Sequence, residues 1–126
     1  MNKIIYTKNA PEPIGPYSQA IKSDSMLFLS GQIPINPKTG IIESNNIEDQ
    51  TQQIFKNISE ILKEGNSSFS DVVKTTIFID NMNNFQHVNE VYGKYFKDES
   101  APARETVAVK TLPKSVRIEI SMVAVV

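Results

Sequence analysis

Two charged side chains near the end of the chain have the chemistry of a binding and hydrolytic site. Arg104 opens a predicted strand in APARETVAVK, and Glu119 lies within the largely apolar stretch SVRIEISMVAVV. The guanidinium of arginine can hold a carboxylate through two parallel hydrogen bonds, which lysine cannot do. The chain uses eleven lysines and only two arginines, so this choice points to a specific contact. We predict that Arg104 binds the carboxylate of a small acid.

A carboxylate within an apolar strand is costly unless it is paired, hydrogen-bonded or protonated. Such surroundings raise the pKa of a glutamate and suit it to accept or donate a proton near neutral pH. We therefore predict a catalytic role for Glu119. Purely structural roles remain open: Arg104 as a surface residue or part of an ion pair at a subunit contact, and Glu119 paired with Arg117 or a lysine on a neighbouring strand.

Two short motifs add further polar groups. In GPYSQA the turn before Tyr17 could aim its hydroxyl at a ligand, and in LSGQIP Gly31 would let a ligand approach the backbone beside the Ser30 hydroxyl. A packed tyrosine at the start of a strand and a glycine at a β-bulge are equally valid interpretations. His87 is the only histidine and cysteine is absent, so we expect a solvated His87, no metal site and no disulfide.

The composition predicts one domain over residues 1–126. The chain is 40% hydrophobic and 21% charged, with a formal charge of −1 and no basic stripe. Nucleic acid is therefore an unlikely partner. Neither a signal-like segment nor a stretch of membrane-spanning length is present, and we expect a cytoplasmic protein without membrane contact.

The hydrophobic pattern predicts an α+β fold with a mixed sheet. Strands are expected at KIIY, at YSQAIK and MLFLSGQI as a hairpin, at VVKTTIFI, at RETVAVK and at SVRIEISMVAVV. One helix should begin at the Asn46 cap and end at a left-handed Gly65. A second should cover NNFQHVNEVYGKYF, with Asn84 as its cap and Gly93 inside it.

The last predicted strand has apolar residues on both faces, which indicates that both faces of the sheet are covered. Val116, Ile118, Ile120, Met122 and Ala124 should face one side, and the apolar Val123 and Val125 should face the other with Glu119. Two helices can cover only one face of a sheet. We therefore expect a homo-oligomer in which copies of the chain cover the second face.

Considered together, four segments identify a family. The stretches APEPIGPYSQAIK, LFLSGQIPINPKTG, DVVKTTIFIDNMNNFQHVNEVYGKYF and APARETVAVKTLPKSVRIEI resemble the RidA/YjgF/L-PSP family in order and spacing. The resemblance implies a chorismate-mutase-like mixed sheet with two helices on one face. It also implies a homotrimer with a central β-barrel and ligand clefts between subunits. Its implied activity is hydrolysis of 2-imino acids and their enamine tautomers, such as 2-aminoacrylate and 2-iminobutanoate, to 2-keto acids and ammonia, without a cofactor.

The same resemblance implies roles for individual residues. Arg104 matches the family's carboxylate-binding arginine, Glu119 its water-orienting glutamate, and Tyr17 a tyrosine that closes the pocket from the neighbouring subunit. The backbone at Gly31 lines the cleft. Three further residues are expected in or near the pocket, where they could bind substrate: Ser30, Asn89 and Thr106.

The segment after Arg104 departs from the family pattern. Glu105 stands where many relatives have serine or threonine, and Thr106 stands where some have cysteine. Strand alternation should turn Glu105 away from the side that Thr106 faces. An inward Glu105 would compete with substrate for Arg104.

Two other functions are compatible with the resemblance. One is an endoribonuclease or translation inhibitor of the L-PSP type, which the lack of a basic groove disfavours. The other is a non-catalytic regulator whose cleft binds a 2-keto acid.

Overall fold

The computed structural model describes residues 2–126 and contains six strands and two α-helices. The strands are β1 Asn2–Ile5, β2 Ala20–Ser23, β3 Met26–Leu29, β4 Val72–Ile79, β5 Ala103–Ala108 and β6 Ile118–Val125. The helices are α1 Ile47–Glu64, which precedes β4, and α2 Phe85–Tyr92, which connects β4 to β5.

The six strands form one mixed sheet in the order β1-β2-β3-β6-β4-β5. β5 runs parallel to β4, and every other neighbouring pair is antiparallel. A parallel pair requires a crossover connection, and α2 supplies it. The predicted α+β class and mixed sheet are confirmed, and β5 lies at an edge of the sheet.

One face of the sheet packs against the helices and holds the core. On β6 the side chains of Ile118, Ile120, Met122 and Ala124 are at most 1% exposed. Helix α1 contributes its own apolar stripe, with Ile54, Phe55, Ile58, Ile61 and Leu62 fully buried. The predicted alternation of β6 is confirmed, because its intervening residues are only partly buried or exposed.

The opposite face of the sheet carries apolar side chains that neither helix covers. Phe28 is 46% exposed, Val107 45% and Val125 42%. These residues come from β3, β5 and β6, so the exposed apolar surface crosses much of the sheet. We call this surface the open face. Its existence agrees with the expected uncovered side, while the covering copy of the chain remains a prediction.

The ends of α1 confirm one prediction and correct another. The Asn46 side chain caps the helix by accepting hydrogen bonds from the backbone amides of Glu48 and Asp49. Gly65 is not left-handed, since its φ is −85°, and Asn66 takes the left-handed conformation with φ 59°. Gly65 is instead required by space, because a Cβ there would lie 2.8 Å from Leu27 Cδ2.

Helix α2 is shorter than predicted. It ends at Tyr92, and Gly93 is its C-cap rather than an interior residue. Asn84 precedes the helix but forms no side-chain cap, which corrects its predicted role. The cap lies earlier, where the Asn81 side chain accepts from the amide of Asn83 at the start of a 3-10 turn. Within residues 2–126, no helix has the length and apolar character needed to cross a membrane.

Candidate functional site

Arg104 lies on the helix-covered side of the sheet, at the edge strand β5. Its register partner on β4 is the fully buried Thr75, so both side chains point toward α2. Arg104 Nη1 donates a 2.7 Å hydrogen bond to Asn89 Oδ1. The guanidinium carbon lies 4.7 Å from the centre of the Tyr92 ring and 5.4 Å from that of Phe85. Arg104 is therefore partly buried against one side of α2 and has no acidic partner among the salt bridges of residues 2–126.

A groove of about 530 Å³ opens beside this arginine. It is lined by Asn89, Tyr92, Gly93, Phe96, Asp98, Ala101, Pro102 and Arg104. The Tyr92 hydroxyl donates a 3.1 Å hydrogen bond to Thr75 Oγ1. Burial raises the pKa of Tyr92, while the hydrogen bond to Thr75 and the charge of Arg104 oppose that rise. Tyr92 is thus a neutral wall of the groove at physiological pH.

Thr106 and Glu105 point to opposite sides of β5, as predicted. Thr106 pairs in register with the buried Ile77, and its Oγ1 is buried without a hydrogen-bond partner in residues 2–126. Glu105 lies on the open face, 3.0 Å from Lys74 Nζ, and accepts a 2.9 Å hydrogen bond from Thr76 Oγ1. The hydrogen bond from Lys74, followed by that from Thr76, lowers the pKa of Glu105. Glu105 therefore does not compete for Arg104 within the chain.

Glu119 lies on the other side of the sheet from Arg104. Its register partner is Phe78, whose neighbours Ile77 and Ile79 point into the core. Burial raises the pKa of Glu119 above its usual value of 4.5. The structural alternatives for this residue are wrong: Arg117 pairs with Asp80 at 3.4 Å, and no salt bridge of residues 2–126 involves Glu119. Glu119 is therefore a partly buried carboxylate beside an apolar surface, with no ion-pair partner among the residues that the structure describes.

The Glu119 carboxylate crosses directly over Gly31. A Cβ at Gly31 would lie 2.3 Å from Glu119 Oε2 and 2.8 Å from its Cδ, so only glycine leaves room for the carboxylate. The backbone here is also irregular. Phe28 pairs with Val123 of β6, and Gln32, just beyond β3, pairs with Ile120. The chain advances four residues between these two pairs while β6 advances only three, which marks a bulge. The Gly31 amide takes part in none of the hydrogen bonds within residues 2–126.

Ser30 and Tyr17 belong to the segments next to Gly31. The Ser30 hydroxyl donates a 2.6 Å hydrogen bond to the backbone oxygen of Ser18, which ties the Tyr17 loop to the bulge. Tyr17 is 47% exposed, and its hydroxyl accepts a 3.4 Å hydrogen bond from the Ile14 amide. Tyr17 lies in a loop and not at the start of a strand, because β2 begins at Ala20.

These residues form two separate groups in one chain. The arginine half-site contains Arg104, Asn89 and Thr106 on the helix side of the sheet. The glutamate half-site contains Glu119, Gly31, Ser30 and the adjacent Tyr17 loop, with Glu119 on the open face. The sheet separates the guanidinium from the carboxylate within a protomer. A single chain therefore contains both half-sites but does not bring the guanidinium and the carboxylate together.

Sequence reasoning assigned Asn89 to the pocket but missed its contact with the arginine. It also missed Phe85 and Tyr92 as parts of the same group. Their spacing along one helical face was visible, but only the structure places that face over Arg104.

His87 lies outside both half-sites. Its Nδ1 is 3.5 Å from Glu48 Oε2, and Glu90 is close enough to complete a three-residue surface cluster. His87 is exposed, as the sequence predicted. The cluster has the donor types of a metal site, but all three side chains are at the surface, and none of them is hydrogen-bonded or ion-paired to Arg104 or Glu119.

Comparison with known proteins identifies relatives along almost the whole chain. A model of the family described as Endoribonuclease L-PSP matches residues 7–126. A plant protein from Arabidopsis thaliana, named Reactive Intermediate Deaminase A, chloroplastic, is 47% identical over 122 residues. That match covers 97% of this chain and 65% of the plant protein.

Two solved structures of similar sequence have the same fold as this chain. The Rid family protein YyfA from Yersinia pestis superposes with a TM-score of 0.97 at 51% identity, covering 100% of both chains. The structure of E. coli TdcF with bound serine gives a TM-score of 0.92 at 42% identity, covering 98% of both chains. The six-stranded mixed sheet with two helices is thus the fold of these relatives.

Proposed function

The chain belongs to the RidA/YjgF/L-PSP family, and we propose that it hydrolyses reactive 2-imino acids and their enamine tautomers to 2-keto acids and ammonia. The observation that carries the proposal is the pair of complementary half-sites. Within residues 2–126, the arginine has no acidic partner and the desolvated carboxylate has no basic one. The plant relative is named a reactive intermediate deaminase, and E. coli TdcF binds serine, a small molecule with a carboxylate and an amino nitrogen.

We propose that neighbouring subunits of a homotrimer complete the site. Arg104 and Glu119 face opposite sides of the sheet, so the arginine half-site of one copy must meet the glutamate half-site of the next. The open face supplies a reason for assembly, because Phe28, Val107 and Val125 expose apolar area that association would bury. β5 is an edge strand, so Arg104 lies where a second copy can approach.

Substrate binding in this proposal begins at the arginine half-site. Asn89 holds Nη1 of Arg104, and the remaining donors of the guanidinium can bind the substrate carboxylate. The unpartnered Thr106 hydroxyl lies on the same side of β5 and can donate to the same anion. The Gly31 amide and the Tyr17 hydroxyl would come from the neighbouring glutamate half-site and confine the rest of the substrate.

The chemical step uses Glu119 as a proton carrier. Its raised pKa brings it closer to neutrality, where a carboxylate can both take up and release a proton. Glu119 accepts a proton from water as the water oxygen bonds to the imine carbon, giving a tetrahedral adduct. Glu119 passes that proton to the nitrogen, and then transfers the proton of the new hydroxyl to the nitrogen as well. The carbon–nitrogen bond breaks, and ammonia leaves as the carbonyl forms. One imine and one water become one 2-keto acid and one ammonia.

An assay coupled to a dehydratase that releases 2-aminoacrylate or 2-iminobutanoate tests the proposal. The parent protein should accelerate 2-keto acid formation, and Arg104→Ala should lose about 1.5–3 kcal/mol of binding, roughly ten- to two-hundredfold. Glu119→Gln should retain binding but lose turnover. Incubation of the same preparations with RNA should give no cleavage that depends on Arg104. An Arg104→Ala protein with the parental rate would overturn the assignment, and binding of a 2-keto acid by the parent without turnover would favour a regulator.

A further inference from the structure

One face of α2 contacts the Arg104 guanidinium through a hydrogen bond and two aromatic rings. Phe85, Asn89 and Tyr92 are spaced four and three residues apart, which aligns them on one side of the helix. Asn89 Oδ1 accepts from Nη1, and the two aromatic rings contact the guanidinium at 4.7 and 5.4 Å. We call these three residues the arginine cradle.

The cradle is itself held in place from the sheet. The Tyr92 hydroxyl donates to Thr75 Oγ1, and Thr75 is fully buried and in register with Arg104. The Tyr92 ring also lies 4.7 Å from the Phe96 ring and 5.9 Å from the Phe55 ring. The position of the ring under the guanidinium is therefore set by a hydrogen bond and by aromatic packing on its other sides.

The hydrogen bond to Arg104 fixes the orientation of the Asn89 amide. Asn89 Oδ1 accepts from Arg104 at 2.7 Å, a distance typical of a strong hydrogen bond to a charged donor. A long, flexible arginine chain loses considerable rotamer freedom when it binds a ligand, unless neighbouring groups have already restricted it. The hydrogen bond to Nη1 and the Tyr92 ring against the guanidinium restrict the motion of the arginine side chain before substrate binds.

We infer that Asn89 and Tyr92 are positioning residues that act on the substrate through Arg104 and do not themselves bind it. This inference rests on the proposed function, because it assigns the carboxylate of the substrate to Arg104. It replaces the sequence-based expectation that Asn89 is a substrate ligand. The cradle sets affinity for carboxylate-bearing molecules and leaves the water-directing chemistry of Glu119 unchanged.

The contributions of the Tyr92 ring and of its hydroxyl to ligand affinity can be tested separately. Tyr92→Leu removes the ring from under the guanidinium, and a cation–π contact of ordinary strength corresponds to about a 3- to 30-fold loss of affinity. Tyr92→Phe keeps the ring and removes only the hydrogen bond to Thr75, so its loss of affinity should be smaller than that of Tyr92→Leu. The matched control is Tyr95→Leu, since Tyr95 stacks on Phe55 at 4.3 Å and does not contact Arg104.

The measurements are the KM and kcat of imine hydrolysis and the Kd of a 2-keto acid by titration calorimetry. We expect Tyr92→Leu to raise KM and Kd with little change in kcat, and Tyr95→Leu to lower the melting temperature without changing either constant. Equal Kd values for Tyr92→Leu and the parent would overturn the role of the ring. So would a change of the same size in Tyr95→Leu.

A double-mutant cycle decides whether Asn89 acts through Arg104. Asn89→Ala should weaken 2-keto acid binding in the parent and have no further effect in an Arg104→Ala background, since the Arg104 side chain to which the Asn89 amide is hydrogen-bonded is then gone. An additional loss in that background would show that Asn89 touches the ligand directly and would overturn the inference. Because the Kd is measured without turnover, a protein that binds but does not hydrolyse would contradict the proposed function and leave the cradle tested.

Discussion

Replacing Gly31 with alanine should separate catalysis from stability. The added Cβ would lie 2.3 Å from Glu119 Oε2 and 3.1 Å from its Cγ, so the glutamate and the new methyl group cannot keep their present positions. The clash involves the end of a flexible side chain and not buried backbone. We therefore expect the Glu119 side chain to rotate away and the fold to remain intact.

The expected loss of rate follows from the distance that the Glu119 carboxylate must move. The Oε2 atom must move from 2.3 Å to at least the 3.4 Å of an ordinary contact, a shift of about 1 Å. A misplacement of about 1 Å at a reacting centre can cost about a hundredfold in rate, which corresponds to roughly 2.7 kcal/mol of activation free energy, and we expect a loss of that order. Turning the side chain off its preferred rotamer should cost only about 0.5–1.5 kcal/mol of stability.

The assay compares kcat for imine hydrolysis with the free energy of unfolding in urea. Gly40→Ala is the matched control, since nothing lies within 4 Å of its Cβ position and its φ is +76°. That backbone conformation disfavours alanine by about 1–2 kcal/mol, so this variant should be less stable and fully active. Parental kcat in a folded Gly31→Ala protein would refute the proposed role of the Glu119 carboxylate at this position.

Three further predictions concern single side chains. Burial raises the pKa of Glu119 in the folded state, so its contribution to stability is fully present below its usual pKa of 4.5 and is lost as pH rises through the folded value. In Glu119→Gln, the free energy of unfolding in urea should no longer fall as pH rises through this range. The same pH dependence in the variant and the parent would contradict the raised pKa. Glu105→Ser should keep the parental kcat/KM, because the Glu105 carboxylate binds Lys74 on the open face; a large gain in affinity would show that it competes for Arg104. Asn46→Ala should lower the free energy of unfolding by about 1 kcal/mol, because two amides at the start of α1 lose their cap, and should leave activity unchanged.

Local pattern was sufficient to predict the long elements. α1 was recognisable because its apolar residues recur on one helical face and Asn46 can cap it. β4 was recognisable because a run of β-branched residues favours a strand. The strict alternation on β6 correctly separated Ile118 and Ile120 from Glu119. These features depend on neighbours in sequence, which is why sequence alone revealed them.

The relation between Arg104 and Glu119 could not be predicted in this way. It depends on the order of the strands, with β6 inserted between β3 and β4, and on the parallel register that pairs Arg104 with Thr75. A shift of that register by one residue would turn Arg104 to the open face. The left-handed residue after α1 was also missed, because Asn66 can adopt that conformation and Gly65 is needed for the space beside Leu27.

Subunit complementation tests the shared site most directly. Arg104→Ala chains, which bind substrate weakly, and Glu119→Gln chains, which lack turnover, are mixed in equal amounts, unfolded and refolded. The mixture is assayed at a substrate concentration far below the KM of the Arg104→Ala protein, with the refolded parent as the reference. If each site takes its arginine from one chain and its glutamate from the next, about a quarter of the sites in the mixture are intact and about a quarter of the parental activity returns. Activity no higher than that of the separate variants, with the parent fully recovered, would show that the two residues do not meet across a subunit boundary.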